Sequence, residues 1–169
     1  GVDVEVEETG STFEENSFLK ANAVRKATGL PALADDSGIA VDALGGAPGV
    51  HSARYGDDPA LDDWGRLLLL LKNTEQVPDG QRQAQFVSVI TLVYPDGRVI
   101  QARGEAHGEL LREAHGEGGF GYDPIFYYPP AGKTFAELTA GEKNQVSHRA
   151  KALKLFYEKL CEEGKHADQ

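Results

Sequence analysis

Two aspartates stand side by side in Ala34-Asp35-Asp36-Ser37-Gly38, after a short apolar approach. Adjacent carboxylates repel one another, and a cation or a basic partner relieves that repulsion. Mg²⁺ takes one or two carboxylates and completes its shell with waters and phosphate oxygens, which such a pair can serve. A carboxylate beside the metal can orient or deprotonate an attacking water. On these residues alone, an Asx-type turn capped by its own side chains fits equally well. Glu7-Glu8 is a second acidic pair, which by itself reads as solvated surface.

Two further segments carry usable chemistry. In Gly118-Gly119-Phe120-Gly121-Tyr122-Asp123-Pro124 the glycines let backbone approach a ligand, and an aromatic ring offers a face to a planar base. The competing reading is a tight turn with Phe120 in the core. Glu142-Lys143 and Ser147-His148-Arg149 bring donors suited to phosphate or to carbonyl oxygens, or else a solvated helix face. Two motif-like strings fail on context. Gly116-x-Gly118-x-x-Gly121 matches a dinucleotide fingerprint by letter, but neither follows a strand nor opens a helix. Gly132-Lys133-Thr134 has Tyr127 where a phosphate loop needs its first glycine.

These groups need elements to position them. Val2, Val4 and Val6 alternate with acids as a short strand does. Thr12 and Glu15 form a capping-box pattern, and Gly29 with Pro31 ends the pattern, so a helix is predicted over 13–28. Its inward stripe is Phe13, Ser17, Ala21, Val24 and Thr28. The segment 33–44 reads as strand, acidic corner, strand, followed by a Gly45–Gly49 loop. Asp58-Pro59 predicts a cap and first turn, with Leu61, Trp64, Leu67/Leu68 and Leu71 facing inward. Residues 82–94 are apolar on both faces, as a covered central strand requires. Asp96-Gly97 turns the chain into a partner strand over 98–107. A last helix carries Val146, Leu153, Phe156/Tyr157 and Leu160 inward and stops near Gly164. The order α, β, β, α, β, β, α argues for an α/β fold with a mixed sheet and helices packed on it.

The bulk composition narrows the function classes. The 169 residues suit one domain or two small lobes sharing a sheet. A net charge of −10 with no Lys/Arg cluster argues against a nucleic-acid polymer as partner. No apolar run is long enough to span a bilayer. Cys161 is alone, so neither an internal disulfide nor a cysteine zinc site is expected, and a reducing cytoplasm is the simplest setting.

Taken in order, the motifs resemble the inosine/xanthosine triphosphate pyrophosphatase family. The likeness runs from about Glu7 to Leu160. It rests on Glu7-Glu8-Thr9-Gly10, Thr12-Phe13-Glu14-Glu15-Asn16 with Lys20-Ala21, and Leu30-Pro31-Ala32 with Ala34-Asp35-Asp36-Ser37-Gly38. It continues through Leu44-Gly45-Gly46-Ala47-Pro48-Gly49-Val50, Ser52-Ala53-Arg54-Tyr55, Gly118 to Phe126, and Glu142-Lys143 with Ser147-His148-Arg149. The resemblance implies Mg²⁺-dependent hydrolysis of ITP, dITP or XTP to the monophosphate and pyrophosphate, a house-cleaning of the nucleotide pool. It implies that Asp36 is general base and metal ligand, with Glu7 (or Glu8) as second acidic ligand. Ser37 would sit at the nucleotide and Lys20 at the phosphates. Phe120, Gly121, Tyr122 and Asp123 would form the base pocket, with Phe120 stacking on the purine. Lys143, His148 and Arg149 would read the 6-keto edge. An elongated central sheet flanked by helices, two lobes with the active site in the cleft between them, and a homodimer contacting through Gly45–Tyr55 are implied as well.

The family's chains open with a strand, a phosphate-cradling turn bearing Thr/Ser, Asn and Lys, and a helix. This sequence has no Met and opens at Gly1-Val2-Asp3-Val4. The resemblance therefore implies a single pyrophosphatase domain over 1–169 without that unit of roughly 30 residues. An exposed sheet edge and a half-open phosphate site are then expected. Two alternatives remain: a related pyrophosphatase with another base preference, or a non-catalytic nucleotide-binding or dimerisation module. The Lys143 and Ser147-His148-Arg149 set speaks against the first.

Overall fold

Thr12 opens the first helix as its side chain accepts the Glu15 amide at 3.1 Å. Glu15 reaches back to the amide of Ser11 at 3.0 Å, one residue further than an ordinary capping box. Helix α1 covers Phe13–Thr28 and ends on Gly29, whose φ of 70° only a residue without Cβ adopts freely. Phe13, Ser17 and Ala21 are buried, as their spacing predicts, and Asn16 joins them. The computed structural model describes residues 9–167, so the expected strand around Val2, Val4 and Val6 lies outside the described residues.

Strand β1 runs unbroken over Ala32–Val41. The acidic corner expected at Asp35-Asp36 is therefore absent, and the two aspartates lie on opposite faces of one strand. Asp36 is buried and Asp35 exposed. Gly38 does not break the strand. A Cβ there would lie 2.4 Å from the Gly49 carbonyl and 2.5 Å from Ser52 Oγ, so the glycine lets the 49–54 turn pack onto β1. Ser52 fixes that contact, accepting the Ile39 amide at 2.9 Å and donating to the Gly49 carbonyl at 2.6 Å.

Helix α2 covers Asp63–Asn73, later than predicted, because Asp62 and not Asp58 caps it, accepting the Gly65 amide at 2.7 Å. Asp58 instead closes a local turn on Ala60. Leu67 and Leu70 form the buried face, Leu67 as predicted, while Trp64 is 53% and Leu68 46% exposed. Strands β2 (Gln83–Val93) and β3 (Val99–Leu110) follow, joined through Asp96-Gly97. β2 is buried on both faces, as its sequence requires. Two short strands that the sequence did not signal, β4 (Phe126–Tyr128) and β5 (Lys133–Thr134), extend the sheet. They pair antiparallel with β3 and with each other, Glu109 opposite Tyr127 and Tyr127 opposite Thr134. Strand order follows chain order, β1-β2-β3-β4-β5, with helices flanking the sheet: an α/β fold in which β1 ends the sheet among the described strands.

A short helix that the sequence did not signal, α3 (Ala140–Val146), carries Val146. The expected last helix is α4 (His148–Ala167), which opens at His148, within the Ser147-His148-Arg149 segment that the sequence puts at or near its start. Ser147 takes extended backbone between the two. α3 starts with a complete capping box between Thr139 and Glu142. Helix α4 packs through Ala152 rather than Leu153, and Tyr157 is exposed. The cause is Gly104 on β3: a Cβ there would stand 2.2 Å from the His148 carbonyl and 2.3 Å from the Ala152 amide. Backbone meets backbone at that point, which fixes the rotation of the helix.

The chain divides into two compact units. One holds the chain up to Ser37, Val87–Glu105 and the chain from His148 onward; the other holds Gly38–Phe86 and Ala106–Ser147. In the first, Ser17 Oγ and Thr91 Oγ1 share a hydrogen bond of 2.5 Å and Gln101 donates to Thr91 at 2.8 Å, pinning α1 to β2 and β3. The second is built round Phe86, Phe126 and Phe135, with Phe126 centred 4.5 Å from Phe86 and 4.8 Å from Phe135. Buried Arg82 ties the turn after α2 to the end of β3 by donating to the carbonyls of Thr74, Val77, Leu110 and Leu111. Among the described residues no helix is long and apolar enough to cross a membrane.

Candidate active site

The first unit brings Lys20 and Asp36 together. Lys20 follows Ser17 by three residues on α1, so the buried Ser17–Thr91 pin aims this side of the helix at the sheet. Its ammonium donates to Asp36 Oδ1 at 3.2 Å and to the Asp35 carbonyl at 3.1 Å. The Asp36 side chain is 8% exposed and that of Lys20 29%. A carboxylate this buried needs a nearby positive charge, and Lys20 supplies it. Ser37, next along β1, is exposed on the other face. Glu7 and Glu8 lie outside the described residues. Also in this unit, His148 is buried and Arg149 exposed on the first turn of α4, at the point where Gly104 seats the helix.

The second unit assembles the glycine-loop residues. Phe120 is not in the core: it is 70% exposed. Asp123 is buried, and its Oδ2 accepts both the Phe120 amide at 3.0 Å and the Lys143 ammonium at 2.5 Å. The same ammonium lies 4.4 Å from the centre of the Phe120 ring. Burial pushes the Asp123 carboxyl above its usual range, and the hydrogen bonds from Lys143 and Phe120 oppose that rise. Gly119, with φ of 71°, is required, since a Cβ would stand 2.2 Å from Asp123 Oδ2. Gly121 also takes positive φ. Tyr122 turns inward, its hydroxyl donating to the Ser52 carbonyl at 2.6 Å, and burial raises it above the ordinary phenol range.

Lys143 and Asp123 are twenty residues apart, and no spacing rule joins them; only the pairing of α3 with the glycine loop does. The Ser52 pin was likewise hidden, because its partners lie across a loop. A hollow of about 570 Å³ lined by His51, Arg54, Tyr55, Gly56 and Asp57 holds none of the residues singled out for chemistry. Among the described residues no three His, Cys, Asp or Glu side chains gather as a metal cage.

The chain as a whole has known relatives. The profile of the Ham1 family matches residues 1–159. The chain belongs to the Ham1 family. Two Ham1 relatives are named dITP/XTP pyrophosphatase. The one from Thermus thermophilus is 54% identical over 151 residues, 89% of this chain and 72% of that protein. The one from Shigella flexneri is 53% identical over 162 residues, 95% of this chain and 81% of that protein. Among solved structures, the Staphylococcus aureus Ham1 protein superposes with a TM-score of 0.90 at 45% identity, covering 95% of this chain and 82% of the other. The Mycobacterium abscessus nucleoside-triphosphatase, dITP/XTP pyrophosphatase, superposes with a TM-score of 0.81 at 46% identity, covering 92% and 81%. These likenesses extend to the sheet and helices that carry the Ham1 fold of this chain.

Proposed function

We propose that the chain hydrolyses non-standard purine nucleoside triphosphates (ITP, dITP, XTP) to the monophosphate and pyrophosphate, a reading supported by its relatives named dITP/XTP pyrophosphatase. The observation that carries the reading is the buried Asp36 carboxylate held beside the Lys20 ammonium. Asp36 takes a proton from the water that attacks the α-phosphorus, as a fixed carboxylate can. Lys20 faces the phosphates as a mobile positive charge, and Ser37 meets the nucleotide.

Mg²⁺ is the proposed cofactor, with Asp36 and Glu7 (or Glu8) as its carboxylate ligands. The donor fits the ion, because Asp36 offers a hard oxygen and Mg²⁺ fills the rest of its shell with water and phosphate. Bound there, the ion would neutralise charge on the triphosphate and on the departing pyrophosphate.

At the other end of the substrate, Phe120 stacks on the purine, with Gly121 leaving room beside it, Tyr122 anchoring the loop and Asp123 closing the pocket. Lys143, His148 and Arg149 present donors to the 6-keto oxygen. Adenine carries an amine there, so donor would meet donor and both would go unpaired. A single pyrophosphatase domain over 1–169, a cytoplasmic setting and a homodimer complete the proposal. The lone Cys161 supports the second. For the third, Trp64 and Leu68 expose an apolar strip on α2, whose Asn73 bonds Tyr55 of the Gly45–Tyr55 segment at 2.6 Å.

The test is a panel of ITP, XTP, dTTP and ATP with Mg²⁺, products identified by ³¹P NMR. Monophosphate and pyrophosphate from ITP and XTP, with ATP and dTTP slow, is the expected result. Preference for dTTP, or release of diphosphate and orthophosphate, would overturn it.

A further inference from the structure

Asp123 is 2% exposed, and its Oδ2 is already engaged by two donors, the Phe120 amide and the Lys143 ammonium. It is an acceptor only, so turned toward position 6 of a purine it would repel a keto oxygen and welcome an amine. Lys143 has the opposite character. Its ammonium is fixed 4.4 Å from the centre of the Phe120 ring by a buried carboxylate, with its side chain still 17% exposed. Phe120 is 70% exposed and offers its ring to a ligand. Gly119 leaves no spare room between loop and carboxylate, so the acceptor is fixed as tightly as the donor it holds.

We infer that Asp123 is a positioning residue that selects keto purines through Lys143: it holds the Lys143 ammonium over the Phe120 ring and does not itself contact the base. The inference rests on the base-pocket reading above. Without Asp123, Lys143 regains its rotamers and its donor no longer waits beside the stacking face. Gly119→Ala acts on the same contact from the other side, since its Cβ would displace the carboxylate while leaving its charge intact.

A double-mutant cycle tests this, with kcat/KM for ITP and for ATP measured on the whole chain for Asp123→Asn, Lys143→Gln and their combination. Gly119→Ala is measured alongside, and circular dichroism reports folding of each variant. Each single change is expected to lower ITP kcat/KM by about tenfold, as loss of a charge-assisted contact does, and to compress the ITP/ATP ratio. The double variant falls within about twofold of Lys143→Gln alone, the non-additivity expected of residues that act as a unit. Gly119→Ala reproduces the compressed ratio. Multiplying losses in the double variant, with Lys143→Gln alone compressing the ratio, would overturn the positioning role and leave the base pocket standing. An unchanged ITP/ATP ratio in Lys143→Gln would overturn both. Asp123→Asn that lowers thermal stability but keeps the ratio would reduce Asp123 to a structural residue and overturn the inference.

Discussion

The Lys20 ammonium donates to Asp36 Oδ1 at 3.2 Å, joining α1 to β1 inside one compact unit. The carboxylate is nearly buried and the ammonium partly open. A carboxylate in such a place stays charged only with a partner, and a charged carboxylate is what proton abstraction from water demands. Lys20 therefore has two duties, one toward Asp36 and one toward incoming phosphate.

Lys20→Met should lower kcat/KM for ITP by roughly 10–100-fold, since it removes a counter-charge and a phosphate partner together. Steady-state kinetics at saturating Mg²⁺ check this. A change of less than about twofold would separate Lys20 from the chemistry.

Gly104→Ala should destabilise the protein by about 2 kcal/mol, as overpacking against rigid backbone does. The new Cβ would sit 2.2 Å from the His148 carbonyl and 2.3 Å from the Ala152 amide, so α4 must move. Because His148 and Arg149 ride on that helix, KM for ITP should rise as well. Urea unfolding and kinetics on the same preparation test both effects.

Arg82→Met should cost about 3 kcal/mol, since it strands buried carbonyl acceptors that the guanidinium now satisfies. Arg82→Lys should restore only part, because one ammonium cannot reproduce the planar fork. Equal stability of the Lys variant and the parent in urea would contradict this account.

Asp123 has its carboxyl raised by burial, only partly offset by Lys143 and the Phe120 amide. A raised carboxyl binds its proton more tightly folded than unfolded. Its contribution to stability is thus fully present below the ordinary carboxylate range and is lost as pH rises through the folded value. Asp123→Asn removes that titration. Melting temperatures of parent and variant, followed from acid to neutral pH, should show the parent losing ground to the variant as pH rises. A constant difference would mean that Asp123 titrates as it does unfolded.

Local rules carried the bounds of α1 and most of its face: Thr12, Glu15 and Gly29 mark its ends, Phe13, Ser17 and Ala21 are buried, Val24 and Thr28 are only half-buried, and Asn16 was missed. The doubly buried β2 and the Asp96-Gly97 turn were legible for the same reason, since their signals lie within a few residues. The rest depended on partners far away in the chain. Gly38 looks like a breaker until Ser52 and the Gly49 carbonyl occupy the space beside it, and only then does Asp36 sit within a strand. Asp58-Pro59 signalled the start of α2, but Asp62 caps it, and Leu70 rather than Trp64 lies on its buried face. Val146 belongs to α3 and not to the last helix, since Ser147 takes extended backbone between them, and Ala152 rather than Leu153 faces inward because Gly104 seats the α4 backbone on β3. In the candidate site the residue types were readable, but the Asp123–Lys143 pairing was not.

The most direct measurement is pyrophosphate release from ITP, with ATP beside it, with and without Mg²⁺, on this chain and its Asp36→Asn variant. Mg²⁺-dependent release that favours ITP is expected, falling at least about 100-fold in the variant, the scale of a lost general base. Release that is undiminished in folded Asp36→Asn, or none from the folded parent, would contradict this expectation.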